Sequence, residues 1–389
     1  MEIPLPTPDS EAAAHGVRVA AHVGELIDTA GGAIPFADYM EAVLYAAGLG
    51  YYSAGSEKFG AAGDFVTAPE LSPLFARALG SQFAALHRAH GLTQLLELGA
   101  GSGRFAADAL VELARIDALP ERYLMLEVSA DLRARQRATL EALAPALLDR
   151  VEWLEALPAA FEGVVFANEV LDALPVERFR RTSAGVEQIT VIRDGAAFGW
   201  GARAAPADLE RAVAALEDDL GASLPSGYVS EINLRVGPWL AALSSALARG
   251  VMLFVDYGMS RREYYAADRD GGTLRCHYRH RAHDDPLVWP GLQDLTTQVE
   301  FTAVAEAGVA AGLGFAGYTT QAHLLIGCGL EALLAEPVPD DRARWLRAQQ
   351  AQRLTMPAEM GERFKAIGFT RGVDAPLAAF AVRDLRDRL

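Results

Sequence analysis

Residues 93–116 read "TQLLELGAGSGRFAADALVELARI". The apolar run ends at Leu98 and gives way to Gly99, Gly101 and Gly103, after which apolar residues return at helical spacing. Glycines let the backbone turn tightly and approach a ligand closely. The helix that follows offers unpaired N–H groups at its start. A strand, a glycine turn and a helix in this order suit a nucleotide-bearing cofactor. The same turn can also hold the pyrophosphate of NAD, or serve only to pack a helix on a sheet. Its context has to decide.

Working outward, "ERYLMLEVSADLRARQRATLEAL" (121–143) repeats the strand–turn–helix order. "DRVEWLEALP" (149–158) and "EGVVFANEVLDALPV" (162–176) supply two further apolar strands. Continuous apolar strands alternating with helices predict an α/β fold with a mostly parallel sheet covered on both faces. "VERFRRTSAGVEQITVIRDGAAFGW" (176–200) alternates and carries turn signals, which predicts an antiparallel insertion over about 180–235. "YVSEINLRVGPWLAALSSALARG" (228–250) reads as a helix before the strand "VMLFVDYG" (251–258), and "PLAAFAVRDL" (376–385) as the last strand. Residues 1–88 form an N-terminal part of helices and an irregular segment, and 89–389 the core with its insertion.

Glu97 lies inside the first core strand and Glu127 ends the second. An acidic residue at the second position suits the two ribose hydroxyls of a dinucleotide or of S-adenosylmethionine (SAM). The polar pair Asn168–Glu169, ending the fourth strand, favours methyl transfer from SAM over hydride transfer with NAD. A dehydrogenase would also need a proton donor that the sequence does not place.

The chain has 389 residues, of which 51% are hydrophobic, enough for a large α/β core. With 35 Lys+Arg against 51 Asp+Glu the formal charge is −16, and basic residues form no long block. That balance argues against nucleic acid as a partner and tolerates a basic one. The two cysteines, Cys276 and Cys328, cannot build a disulfide framework. No apolar run has the length of a membrane span. We therefore expect a cytoplasmic protein without a membrane span. "CHYRHRAHDD" (276–285) lacks the paired Cys/His spacing of a structural zinc site, so no metal is expected.

The segments "FGAAGDFVTAPELSPLF" (59–75), "LELGAGSGRF" (96–105), "NEVLDALPVERF" (168–179) and "GLQDLTTQVEF" (291–301) occur in the order found in the MidA-like family of class I SAM-dependent methyltransferases. From about Gly50 to the C-terminus the chain resembles that family, which includes a mitochondrial complex I assembly factor acting as a protein arginine methyltransferase. It departs at Val170–Leu171, where two phenylalanines are frequent, and at Gln298 and Glu300, where His and Asp are.

The resemblance implies a Rossmann-like class I methyltransferase fold: a seven-stranded, mostly parallel sheet with N-terminal helices and an inserted α+β segment. It implies SAM as cofactor, S-adenosylhomocysteine as product, and as acceptor an arginine of a protein such as a respiratory complex I subunit. Small-molecule methyl transfer, or assembly of a partner with SAM as a structural ligand, are the other readings. The expected cofactor residues are Asp64, Phe65, Thr67, Gly99, Ala100, Gly101, Ser102, Gly103, Glu127 and Asn168. The resemblance makes residues 55–70 a lid at the cofactor mouth, where Pro69 and Glu70 also stand. Asp64 or Glu70 would meet the amino group of the methionine moiety. In the plainer reading Asp64 caps a turn and Thr67 caps the helix beginning near Ser72.

The expected catalytic residues are Glu169 first and Asp172 second. A guanidinium is protonated and a poor nucleophile, and carboxylates can orient its planar fork. The plainer reading of Asp172 is a cap on the turn before Pro175. Glu231 is a remote carboxylate candidate, more simply read as a solvated residue in the first turn of a helix.

Overall fold

The structure, a computed structural model, describes residues 5–53, 67–195, 197–374 and 376–389. Packing divides it into two units. One holds the N-terminal helices with Leu171–Val236 and Ser260–Glu300; the other holds Val66–Val170, Gly237–Met259 and Phe301–Leu389.

The second unit is built on strands β1 (Gln94–Leu98), β2 (Arg122–Leu126), β3 (Val151–Leu154), β4 (Phe161–Asn168), β5 (Leu247–Met259), β6 (Gly314–Thr320) and β7 (Phe364–Arg371). They follow one path, β6-β7-β5-β4-β1-β2-β3. Pairs among β1 to β5 are parallel, whereas β7 runs antiparallel to both β5 and β6. Among the described residues seven strands lie on this path. Register sets the level of every strand end: Leu98 lies opposite Ala167 of β4 and Leu126 of β2. The residues that follow, Gly99, Asn168 and Glu127, therefore emerge along one edge. Strand order reverses between β1 and β4, where ligands of open α/β sheets bind.

Helix α1 (Pro73–His90) starts at Ser72, whose hydroxyl accepts the Leu74 amide at 3.2 Å, and stops at Gly91 with φ +65°. Helices α2 (Arg104–Arg115) and α3 (Ala130–Leu143) follow β1 and β2. Phe105 of α2 stacks on Phe166 of β4 with ring centroids 4.3 Å apart, and Phe83 of α1 meets Phe166 at 5.9 Å. These rings fix the helix after the glycine turn against the strand ending at Asn168. Helix α1, assigned by sequence to the N-terminal part, thus packs into the sheet unit.

The first unit is an antiparallel sheet. Ala33–Pro35, Gly185–Asp194, Glu177–Thr182 and Val229–Ile232 pair in that order, and Ala197–Ala204 joins Gly185–Asp194. Helices Ser10–Thr29, Phe36–Tyr45 and Ala207–Leu220 accompany it. Two expectations fail on pairing that no local pattern displays. Val229–Ile232 is a strand rather than part of a helix, because Glu177–Arg180 lies beside it. The last strand is Phe364–Arg371, paired on both sides, while 376–385 contains only a short 3-10 turn at Ala378–Phe380.

Candidate cofactor and catalytic site

All three glycines after β1 take left-handed backbone: Gly99 at φ +63°, Gly101 at +54° and Gly103 at +81°. A Cβ on Gly99 would lie 2.7 Å from Cγ2 of Val170, and one on Gly103 would lie 2.9 Å from Cα of Gln136. Space and conformation alike exclude side chains there. Gly103, at the start of α2, brings no side chain to cap the helix. The Gly103 amide closes the turn on the Ala100 carbonyl at 2.8 Å. The Ser102 hydroxyl donates to the Glu70 carboxylate and accepts the Arg104 amide at 3.3 Å. Glu70 thus engages the glycine turn itself.

Glu127 is 8% exposed. Its Oε1 accepts the Ser129 amide at 2.9 Å and its Oε2 accepts Nε2 of Gln136 at 3.1 Å. Gln136 is fully buried; Nε2 also donates to the Gly101 carbonyl at 3.1 Å, and Oε1 accepts the Trp153 indole N–H at 2.9 Å. One amide thereby ties the glycine turn, the acidic end of β2 and the β3 tryptophan together. Sequence reasoning passed over Gln136. Its signal was present: Leu132, Gln136 and Leu140 repeat at i, i+4 and i+8 as the buried stripe of α3. A polar residue on such a stripe needs partners.

Glu97 is buried inside β1, where the Tyr123 hydroxyl donates to it at 2.6 Å. Burial lifts its pKa to about 7, against the pull of that hydrogen bond.

At the end of β4, Asn168 Nδ2 donates to Glu169 Oε1 at 2.9 Å. Asn168 Oδ1 is buried and meets no donor among the described residues, so an acceptor at this edge is left for a ligand. Glu169 has φ +54°, a conformation uncommon for a residue other than glycine. Strained backbone of this kind concentrates at functional sites.

The other expected residues divide. Asp64 and Phe65, and most of the lid, lie outside the described residues. Thr67 precedes the turn Ala68–Leu71 and makes no capping bond; Ser72 caps α1 instead. Asp172 belongs to the first unit, where it is 4% exposed and its carbonyl accepts the Thr297 amide at 2.9 Å. The turn before Pro175 closes through the Leu174 amide on the Leu171 carbonyl at 3.3 Å. Glu231 is not solvated: it is fully buried, pairs with Arg178 at 3.1 Å and accepts the Thr273 amide at 2.7 Å. The Thr273 hydroxyl in turn accepts the Gln298 amide at 3.1 Å. Within 276–285, Cys276 is buried, and burial pushes its thiol pKa up. Among the described residues no group of three or more His, Cys, Asp or Glu is placed to hold a metal, and no helix is long and apolar enough to cross a membrane.

A sheet of this order, with a glycine turn after its first strand and an acidic residue after its second, defines a class I SAM-dependent methyltransferase. The chain belongs to the family described as "Putative S-adenosyl-L-methionine-dependent methyltransferase", whose family model matches residues 74–319. It is 30% identical to the Drosophila melanogaster "Protein arginine methyltransferase NDUFAF7 homolog, mitochondrial", over 96% of this chain and 90% of that one. It is 29% identical to the Homo sapiens "Protein arginine methyltransferase NDUFAF7, mitochondrial", over 86% and 79%. A crystal structure from Burkholderia thailandensis, of a candidate methyl transferase bound to S-adenosyl-homocysteine, has a TM-score of 0.94 at 46% identity and covers 99% of this chain and 100% of that chain. The protein is a SAM-dependent methyltransferase. Both animal relatives are named as mitochondrial, which overturns the expectation of a cytoplasmic protein.

Proposed function

We propose that the enzyme methylates an arginine side chain of a protein, with a respiratory complex I subunit as the acceptor that the family resemblance suggests. The relatives named protein arginine methyltransferases support the acceptor class. The observation that carries the mechanism is Glu169, held at φ +54° beside Asn168, one residue beyond the strand position level with the glycine turn.

The residues at this edge suit SAM: the turn has no room for a Cβ at Gly99 or Gly103, and Asn168 Oδ1 awaits a donor. Bound SAM supplies an electrophilic methyl group. In our reading Glu127 takes the ribose hydroxyls, the glycine turn and Asn168 meet the methionine portion, and Thr67 lines the mouth. Glu169 grips the guanidinium fork by charge-assisted contacts. It holds positive charge toward one nitrogen, leaves the lone pair of another to face the methyl, and takes up the proton that this nitrogen loses once methylated. Asp172, three residues on, is the second carboxylate. Orientation and water exclusion then account for most of the rate.

The test pairs two measurements on Glu169→Gln. Calorimetry should show SAM affinity within a few-fold of the parent, while transfer of labelled methyl to an arginine-bearing complex I subunit falls by ~10²-fold or more. Full transfer in the variant removes Glu169 from the mechanism. Label recovered on a small molecule, with no methylarginine in the protein, overturns the acceptor.

A further inference from the structure

Asp256 stands near the end of β5, one residue beyond Val255, which is in register with Asn168. It is therefore level with Glu169 on the neighbouring strand. Its side chain is 1% exposed. Oδ2 accepts the Val170 amide at 3.1 Å, and Oδ1 accepts the Tyr257 amide at 2.9 Å. The Glu169 amide itself donates to the Val255 carbonyl at 2.9 Å. The two amides that flank the Cα of Glu169 are thus both fastened to β5.

Left-handed backbone brings the Cβ of an L-residue close to its own carbonyl and is strained for that reason. Such a conformation persists only where the surroundings over-determine it. Bonds to the amides of residues 169 and 170 fix φ and ψ of Glu169, and with them the direction of its Cα–Cβ bond. From the other side, Val170 fills the space that the missing side chain of Gly99 leaves. A carboxylate meets both demands on Asp256, because each of its oxygens takes one amide. An asparagine would turn an NH2 group toward one of them.

We propose that Asp256 is a positioning residue, whose buried carboxylate holds Glu169 in its left-handed conformation and so aims the Glu169 carboxylate at the acceptor. This rests on the reading of Glu169 given above.

The experiment is a double-mutant cycle on the full chain with Glu169→Gln, Asp256→Asn and the pair, recording kcat, acceptor KM, SAM affinity by calorimetry and thermal midpoint. Asp256→Asn should lower kcat by ~10–100-fold, with SAM affinity and acceptor KM within about threefold. In the Glu169→Gln background the same change should cost less than about threefold, because the group it aims is already gone. A crystal structure of Asp256→Asn should show residue 169 out of the left-handed region. Losses that multiply, an unchanged kcat, or Glu169 unmoved in the variant overturn the inference while Glu169 keeps its role. Full activity of Glu169→Gln overturns both. If Asp256→Asn does not fold, Asp256→Ser carries the same comparison, and failure of both to fold assigns Asp256 to stability instead.

Discussion

Gly99 and Val170 fit together because Gly99 has no side chain: a Cβ there would sit 2.7 Å from Cγ2 of Val170. The glycine turn and the strand end carrying Glu169 are therefore one packed object. Gly99→Ala should both strain the backbone at φ +63° and overpack this contact, for a loss of about 2–4 kcal/mol. Adding Val170→Ala should recover the overpacking part and leave the backbone part. Chemical denaturation and SAM calorimetry on the single and double variants check this; equal stabilities would mean that the contact carries no load.

Gln136 should matter for SAM although it need not touch it. Gln136→Leu strips Glu127 Oε2 of a donor and orphans both the Trp153 N–H and the Gly101 carbonyl. At about 1–2 kcal/mol for the disturbed charged contact, SAM affinity should fall ~5–30-fold. Glu127→Ala, which removes the carboxylate itself, should cost ~1–3 kcal/mol. Calorimetric affinities equal to the parent's in both variants would move the ribose contact elsewhere.

Glu97 makes the ligand-free protein less stable as pH rises. Its carboxyl titrates near 4.5 when unfolded and at about 7 when folded. Between these values the folded chain keeps a proton that the unfolded chain has released. Stability therefore declines from about pH 4.5 to 7 and levels off above, by on the order of 3 kcal/mol. Glu97→Gln removes this titration, so its advantage in thermal midpoint should grow between pH 4.5 and pH 8. A constant difference across that range would show that Glu97 does not titrate there.

Glu231→Ala should destabilise the first unit by ~3–5 kcal/mol, since it strands Arg178 and leaves the Thr273 amide without its carboxylate. Hydrogen exchange should quicken at Thr273 and at Gln298, whose amide rests on the Thr273 hydroxyl. Unchanged exchange at both would place the support of that segment elsewhere.

The glycine turn, the parallel sheet around it and the antiparallel insertion were legible in the sequence because each is written in local patterning: glycine spacing, apolar runs, alternation. Glu127 and Asn168–Glu169 were legible for a related reason. Residues that end core strands must emerge at a sheet edge, whatever the rest of the chain does.

Tertiary structure decided what depends on partners distant in sequence. Glu231 reads as a helix residue until Glu177–Arg180 pairs with its strand, after which its carboxylate is neutralised by Arg178 and bonded by Thr273. Gln136 becomes the link between the glycine turn, Glu127 and Trp153 only when α3 packs over β3. Asp256 meets Val170 across 86 residues of chain because strand register, which no short window encodes, brings β4 and β5 level. Residue types and their order determined which chemistry this protein can hold. Long-range register and burial determined where its carboxylates stand and which groups they bond.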